Sequence, residues 1–124
     1  MSPKILVADD EPNIVISLEY LLKREGYNVV IARDGQEAVD AIVREQPDLV
    51  LLDVMMPKKT GFEVCQEVRA IESVQGTKIL MLTAKGRDTD VAKGLALGAD
   101  GYMTKPFATR ELVQKVAEML GKAA

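Results

Sequence analysis

Histidine does not occur in this chain. Without imidazole there is no Ser-His-Asp or Cys-His nucleophile and no histidine-ligated metal. Cysteine occurs once, at Cys65, so no internal disulfide can form, and a reducing cytoplasm is the expected compartment. There is no basic tract and no basic stripe interleaved with aromatics, and the net charge is -3, so this domain is not expected to bind nucleic acid directly. No apolar run reaches membrane-spanning length, and no signal peptide precedes the first apolar segment, which follows Met1-Ser2-Pro3 almost at once. Internal repeats, low-complexity tracts and linkers are also missing.

What remains is an ordinary globular composition. The 124 residues are 48% hydrophobic and 28% charged, enough for one compact domain with a real core and too few for two. Five short apolar runs, at about 4–8, 28–32, 48–52, 78–82 and 101–104, read as strands. Five helical patterns alternate with them. The first opens at Pro12, a residue suited to a first helical turn, with Asp10 as candidate N-cap and Gly26 beyond its end. Its apolar face is Ile14, Leu18, Leu21 and Leu22. The second, about 35–45, turns Ala38, Ala41 and Ile42 inward and stops before Pro47. The third, about 61–72, carries Phe62, Cys65 and Val68. The fourth, about 87–97, has a weak apolar stripe and stops at Gly98. The fifth, about 109–120, shows Leu112, Val113, Val116, Met119 and Leu120 at helical spacing.

Strict alternation of strand and helix implies a doubly wound α/β domain: a parallel sheet, right-handed crossovers and helices on both faces. Two strand orders are common for such chains. The order 2-1-3-4-5 sets the first strand beside the third where the winding reverses, the place where open α/β folds gather their chemistry. Asp9, Asp10 and Glu11 follow the first strand, Asp53 the third, Thr83 the fourth and Lys105-Pro106 the fifth. In that order Asp9 and Asp10 would face Asp53, Thr83 would flank it, and Lys105 could reach over on its long stem.

Taken singly, each residue has an ordinary reading. Asp10 serves equally as a helix cap, Asp53 as a turn residue, Thr83 as a loop hydroxyl and Lys105 as a solvated lysine. Tyr102 alone reads as a core or half-exposed aromatic, Met55 and Met56 as packing and turn residues, and Cys65 as core filler. Together they are harder to dismiss. Two carboxylates at about 4 Å repel by roughly 4 kcal/mol at an effective dielectric near 20, so three in one place call for a cation or a proton. Hard oxygen donors at a wet sheet edge suit Mg²⁺. A carboxylate there can also attack phosphorus and form an aspartyl phosphate.

Four segments carry a family resemblance: Val7-Ala8-Asp9-Asp10-Glu11, Leu51-Leu52-Asp53-Val54-Met55-Met56-Pro57, Met81-Leu82-Thr83-Ala84 and Lys105-Pro106-Phe107. In this order and at these separations they resemble the receiver domain of two-component response regulators, of the chemotaxis or winged-helix-regulator type. The resemblance covers the whole chain as one receiver domain, with its core at about 4–120 and no output domain. It implies a flavodoxin-like fold. It implies that Asp53 is the phospho-acceptor and that Asp10, Asp53 and the Met55 carbonyl hold Mg²⁺ (or Mn²⁺), with Asp9 acting through a metal-bound water. Lys105 would pair with Asp53 and then with the phosphoryl group. Thr83 would be the switch hydroxyl, Tyr102 the aromatic that turns inward as Thr83 moves, and Lys105-Pro106 a cis peptide. The donor would be a sensor histidine kinase or histidine phosphotransfer protein. The output would be a changed surface on the fourth helix, fifth strand and fifth helix. The chain would be a phosphoprotein switch rather than an enzyme, catalysing at most its own phosphorylation and dephosphorylation. Lys85, with Met55, would sit at the entrance and tune hydrolysis.

Rival readings have identifiable departures. An Mg²⁺-dependent aspartyl-phosphate hydrolase of the haloacid-dehalogenase type would carry a second acid two residues past Asp53, where Met55 stands. A nucleotide- or flavin-binding module would need a Gly- or Ser/Thr-rich phosphate loop after the first strand. A phosphorylation-independent adaptor of the same fold would lack one of the acids. The stretch 83–115 also resembles receivers that dimerise on phosphorylation through inter-subunit ion pairs. Here Val91 and Gly101 replace two of the charged partners, leaving Glu111, Lys115, Asp100 and Lys122.

Overall fold

The computed structural model describes residues 2–84 and 86–121, so Lys85 and Lys122 lie outside the described residues. The central strands are apolar along their interiors and bury both faces there. β1 (Lys4–Ala8), β3 (Leu49–Asp53) and β4 (Lys78–Ala84) send alternate side chains to opposite sides. Ile5, Val7, Leu49, Leu51, Leu80 and Leu82 pack with Leu18, Leu22, Leu112 and Val116 of α1 (Pro12–Arg24) and α5 (Thr109–Met119). Leu6, Ala8, Val50, Leu52, Ile79 and Met81 pack on the other face against Ala38, Ile42, Cys65 and Val68 of α2 (Gly35–Glu45) and α3 (Gly61–Arg69). β2 (Asn28–Ala32) and β5 (Gly101–Lys105) form the edges, and α4 (Asp88–Ala96) precedes β5. The sheet is parallel with order β2-β1-β3-β4-β5, the doubly wound arrangement expected.

Local sequence accounts for the helix starts. Asp34 caps α2 by accepting from the Glu37 amide at 2.8 Å. Thr60 and Glu63 form a reciprocal capping box on α3. At α1 the expectation of Asp10 as N-cap is incorrect. The N-cap is Glu11, with no side-chain cap, and the Glu11 amide is taken instead by Asp9 Oδ1 at 2.9 Å. Pro12 has no N–H to satisfy, which leaves the Asp10 carboxylate unneeded there.

Other differences lie at element ends. β3 starts one residue late and includes Asp53, and β4 runs on to Ala84, because the parallel ladder continues to Asp53↔Leu82 and Ala84↔Lys105. α3 ends at Arg69 rather than reaching residue 72, and a short 3-10 turn at Glu72–Val74 drops Val74 into the core. Val15, absent from the expected face of α1, is buried, while Ile14 is only partly covered. α4 is the least embedded helix: its one buried residue is Gly94, which lies against Met81 and Phe62. Asp100, a candidate inter-subunit ion partner, is engaged within its own chain by Arg69 Nη2 and the Ile79 amide, both at 2.8 Å.

Candidate functional site

The β1–β3 crevice is where the winding reverses. Ala8 pairs with Leu52, so the residues that follow them, Asp9 and Asp53, leave the sheet side by side. Together with Asp10 they form a cluster in which one carboxylate oxygen from each lies within 4.8 Å of the others. Asp9 and Asp53 are buried and Asp10 is exposed. Lys105, at the end of β5, crosses β4 and places Nζ 2.8 Å from Asp9, 3.3 Å from Asp53 and 3.4 Å from Glu11. The Lys105–Pro106 peptide is cis.

The charges are unevenly matched. Burial pushes the Asp53 carboxyl up to about 6, and the neighbouring Asp9 charge pushes the same way, against a smaller opposing pull from Lys105. Burial works against the ammonium of Lys105, yet Asp9 and Asp53 outweigh it and hold its pKa above the usual lysine range. The asymmetry follows from the distances. Lys105 sits closer to Asp9 than to Asp53, so the shared cation leaves Asp53 the under-compensated member. Such a site has strong electrostatic demand for a further cation.

A cavity of about 160 Å³ opens over Asp53, walled by Glu11, Met55, Ala84, Arg87, Asp90 and Lys105 among others. Larger hollows of about 560 and 650 Å³ lie at the opposite end of the sheet and between α1 and α5, with no comparable carboxylate cluster. Chemistry rather than size distinguishes the small one. Thr83 is buried outside its wall and donates its hydroxyl to the neighbouring Ala84 carbonyl at 3.2 Å. Tyr102 is not brought to the cavity; it stands on β5 with 47% exposure. Met55 is on the wall and 67% exposed. Sequence reasoning assigned no part to Glu11, Arg87 or Asp90. The available signal was position, since Glu11 follows β1 and Arg87 and Asp90 follow β4, at the same rim.

A sequence model described as the response regulator receiver domain matches residues 5–117. The chain belongs to the response regulator receiver domain family. Solved receiver structures superpose over nearly its full length. The chemotaxis response regulator CheY4 of Vibrio cholerae is 34% identical, with a TM-score of 0.91 over 96% of this chain and 99% of that one. A CheY-like receiver domain protein of Methanospirillum hungatei is 31% identical, with a TM-score of 0.91 over 98% and 95%. The receiver domain of a sensor histidine kinase of Pseudomonas aeruginosa, solved with a magnesium ion coordinated in its active-site cleft, is 30% identical, with a TM-score of 0.90 over 98% and 100%. Receiver domains are signalling switches of two-component systems, not conventional enzymes. The hydrolase and nucleotide-binding readings give way to this one.

Proposed function

We propose that this receiver is a phospho-accepting switch in which Asp53 takes a phosphoryl group from a phosphohistidine on a sensor histidine kinase or a histidine phosphotransfer protein. The observation that carries it is the buried Asp53 carboxylate, crowded by Asp9 and Asp10 and reached by Lys105 at 3.3 Å. The donor set fits Mg²⁺, and Mn²⁺ as a substitute: three hard carboxylates at a solvent-accessible rim, over-negative as they stand. Asp10, Asp53 and the Met55 carbonyl would hold the ion, with Asp9 acting through water. Bound there, it would neutralise charge on the transferring phosphoryl oxygens.

The chain's own groups do the rest. An Asp53 carboxylate oxygen attacks phosphorus. A P–O bond forms, the P–N bond to the donor imidazole breaks, and its electron pair returns to the imidazole nitrogen. Lys105 meets the incoming charge with an ammonium already in place, so little reorganisation is needed. The Thr83 hydroxyl, spent only on the adjacent Ala84 carbonyl, turns to a phosphoryl oxygen. Tyr102, exposed on β5, swings into the space released, and the face of α4, β5 and α5 changes. Taking the switched state from about 1% to about 99% needs roughly 5.5 kcal/mol, which a dianion with several charge-assisted contacts can supply. Exposed Leu95 and Tyr102 give that face apolar surface for a downstream partner, an output domain or a second copy. The unpaired, buried Cys65 suits the cytoplasm in which we place this work.

The test is uptake of phosphoryl from acetyl phosphate, with and without Mg²⁺, by the native chain and by Asp53→Asn. Metal-dependent labelling that the substitution abolishes is expected. Labelling that persists in Asp53→Asn would place the acceptor elsewhere and refute the reading.

A further inference from the structure

We propose that Arg87 is a second cation for the phosphoryl group, kept in reserve by Asp90 and exchanged between the two anions; this rests on Asp53 being the acceptor. The cavity over Asp53 has two cationic side chains on its wall, Lys105 and Arg87. Lys105 is already committed. Its ammonium has three N–H groups, and Asp9, Asp53 and Glu11 all lie within 3.4 Å of it. Three new phosphoryl oxygens therefore meet a lysine already shared among three carboxylates.

Arg87 has donors left over. Its Nε meets Asp90 Oδ2 at 2.9 Å, and that is its ion partner among the described residues. A guanidinium carries five N–H groups in a planar fork matched to phosphate. The arginine side chain is 55% exposed, so the pair that holds it is a weak i,i+3 contact close to solvent. Asp90 can release it at small cost, because it also lies in the first turn of α4, where the helix dipole favours an anion. Arg87 itself is the N-cap of that helix and makes no side-chain cap bond. Moving its guanidinium leaves the start of α4 without its side-chain tie. The exchange thus links phosphoryl occupancy to the most loosely packed helix, by a route that does not pass through Thr83 or Tyr102.

Beryllofluoride, a phosphoryl mimic at carboxylates, separates the possibilities when titrated calorimetrically in Mg²⁺ against the native chain, Arg87→Gln, Arg87→Lys, Asp90→Asn and the double variant. Arg87→Gln should weaken binding about tenfold, the loss of one charge-assisted contact. Arg87→Lys should recover part of it. Asp90→Asn, which frees the arginine, should tighten binding, and the double variant should behave like Arg87→Gln. Mg²⁺ affinity without beryllofluoride should not fall in Arg87→Gln, which separates anion contact from damage to the site. Unchanged affinity in Arg87→Gln, or no tightening in Asp90→Asn, overturns the inference while leaving Asp53 as acceptor. A native chain that binds no beryllofluoride and takes up no phosphoryl overturns both.

Discussion

Asp53 concentrates the conflict between stability and function in one side chain. Its pKa of about 6 exceeds the ordinary aspartate value, chiefly through burial and then through Asp9. The folded chain therefore binds a proton more tightly than the unfolded one, and stability falls as pH rises through the window from about 4 to about 6. Two pKa units correspond to roughly 3 kcal/mol. Without divalent ions, Asp53→Asn should thus be the more stable protein at pH 8 by an amount of that order, with the difference shrinking towards pH 4. Urea melts in chelator at the two pH values would read this, and equal stability at pH 8 would contradict it. Lys105→Ala should act in the opposite direction. It strips the buried Asp9 of its ammonium, and removing one partner of a buried pair typically costs about 3 kcal/mol. It should retain some phosphoryl labelling yet lose the coupled change of the α4–β5–α5 face, visible as unaltered amide shifts on that face after labelling. That Asp9, Asp10, Asp53 and Lys105 would meet was legible because each follows an apolar run. Arg87 and Asp90 were not, because a residue three or six places past a strand carries no mark of which way the chain folds back.

Among the elements, two helix glycines make opposite predictions. Gly61 opens α3 with no room for a side chain, since a Cβ there would collide with the Asp53 carbonyl. Gly61→Ala should destabilise by about 1–3 kcal/mol, as overpacking does, and should impair labelling by displacing the acceptor's backbone. Gly94 sits inside α4, where an added Cβ would rest 3.4 Å from the flexible Met81 side chain. Gly94→Ala should stabilise α4 by roughly 0.5–1 kcal/mol through helix propensity and slow its amide exchange. Faster exchange would show that the Met81 contact cannot yield. The helices and strands were readable from periodicity, because 3.6-residue and uninterrupted apolar patterns answer directly to burial. Their ends were less so. The length of β4 depends on the ladder partner offered by β5, and the stop of α3 depends on a core site that accepts Val74. Neither is written locally.

At the scale of the whole molecule, the order β2-β1-β3-β4-β5 is what converts scattered acids into one site. Alternating strand and helix narrowed the choice of topology but did not select this order; the family motifs did. Because the clustered carboxylates are ordered only in the folded state, a divalent ion should raise the unfolding temperature. The stabilisation should approach about 2.7 kcal/mol at a hundred times the dissociation constant. Thermal melts across a Mg²⁺ series should show the rise for the native chain and a much smaller one for Asp10→Asn. Parallel series for the two would remove Asp10 from the ligand set.

The contact between Lys105 and Asp9 joins positions 96 residues apart. A ribosome making this chain releases both strand-borne acids of the pocket long before it releases the ammonium that restrains them. Until β5 has emerged and taken its edge, a nascent chain would hold a cluster of negative charge without its counterweight.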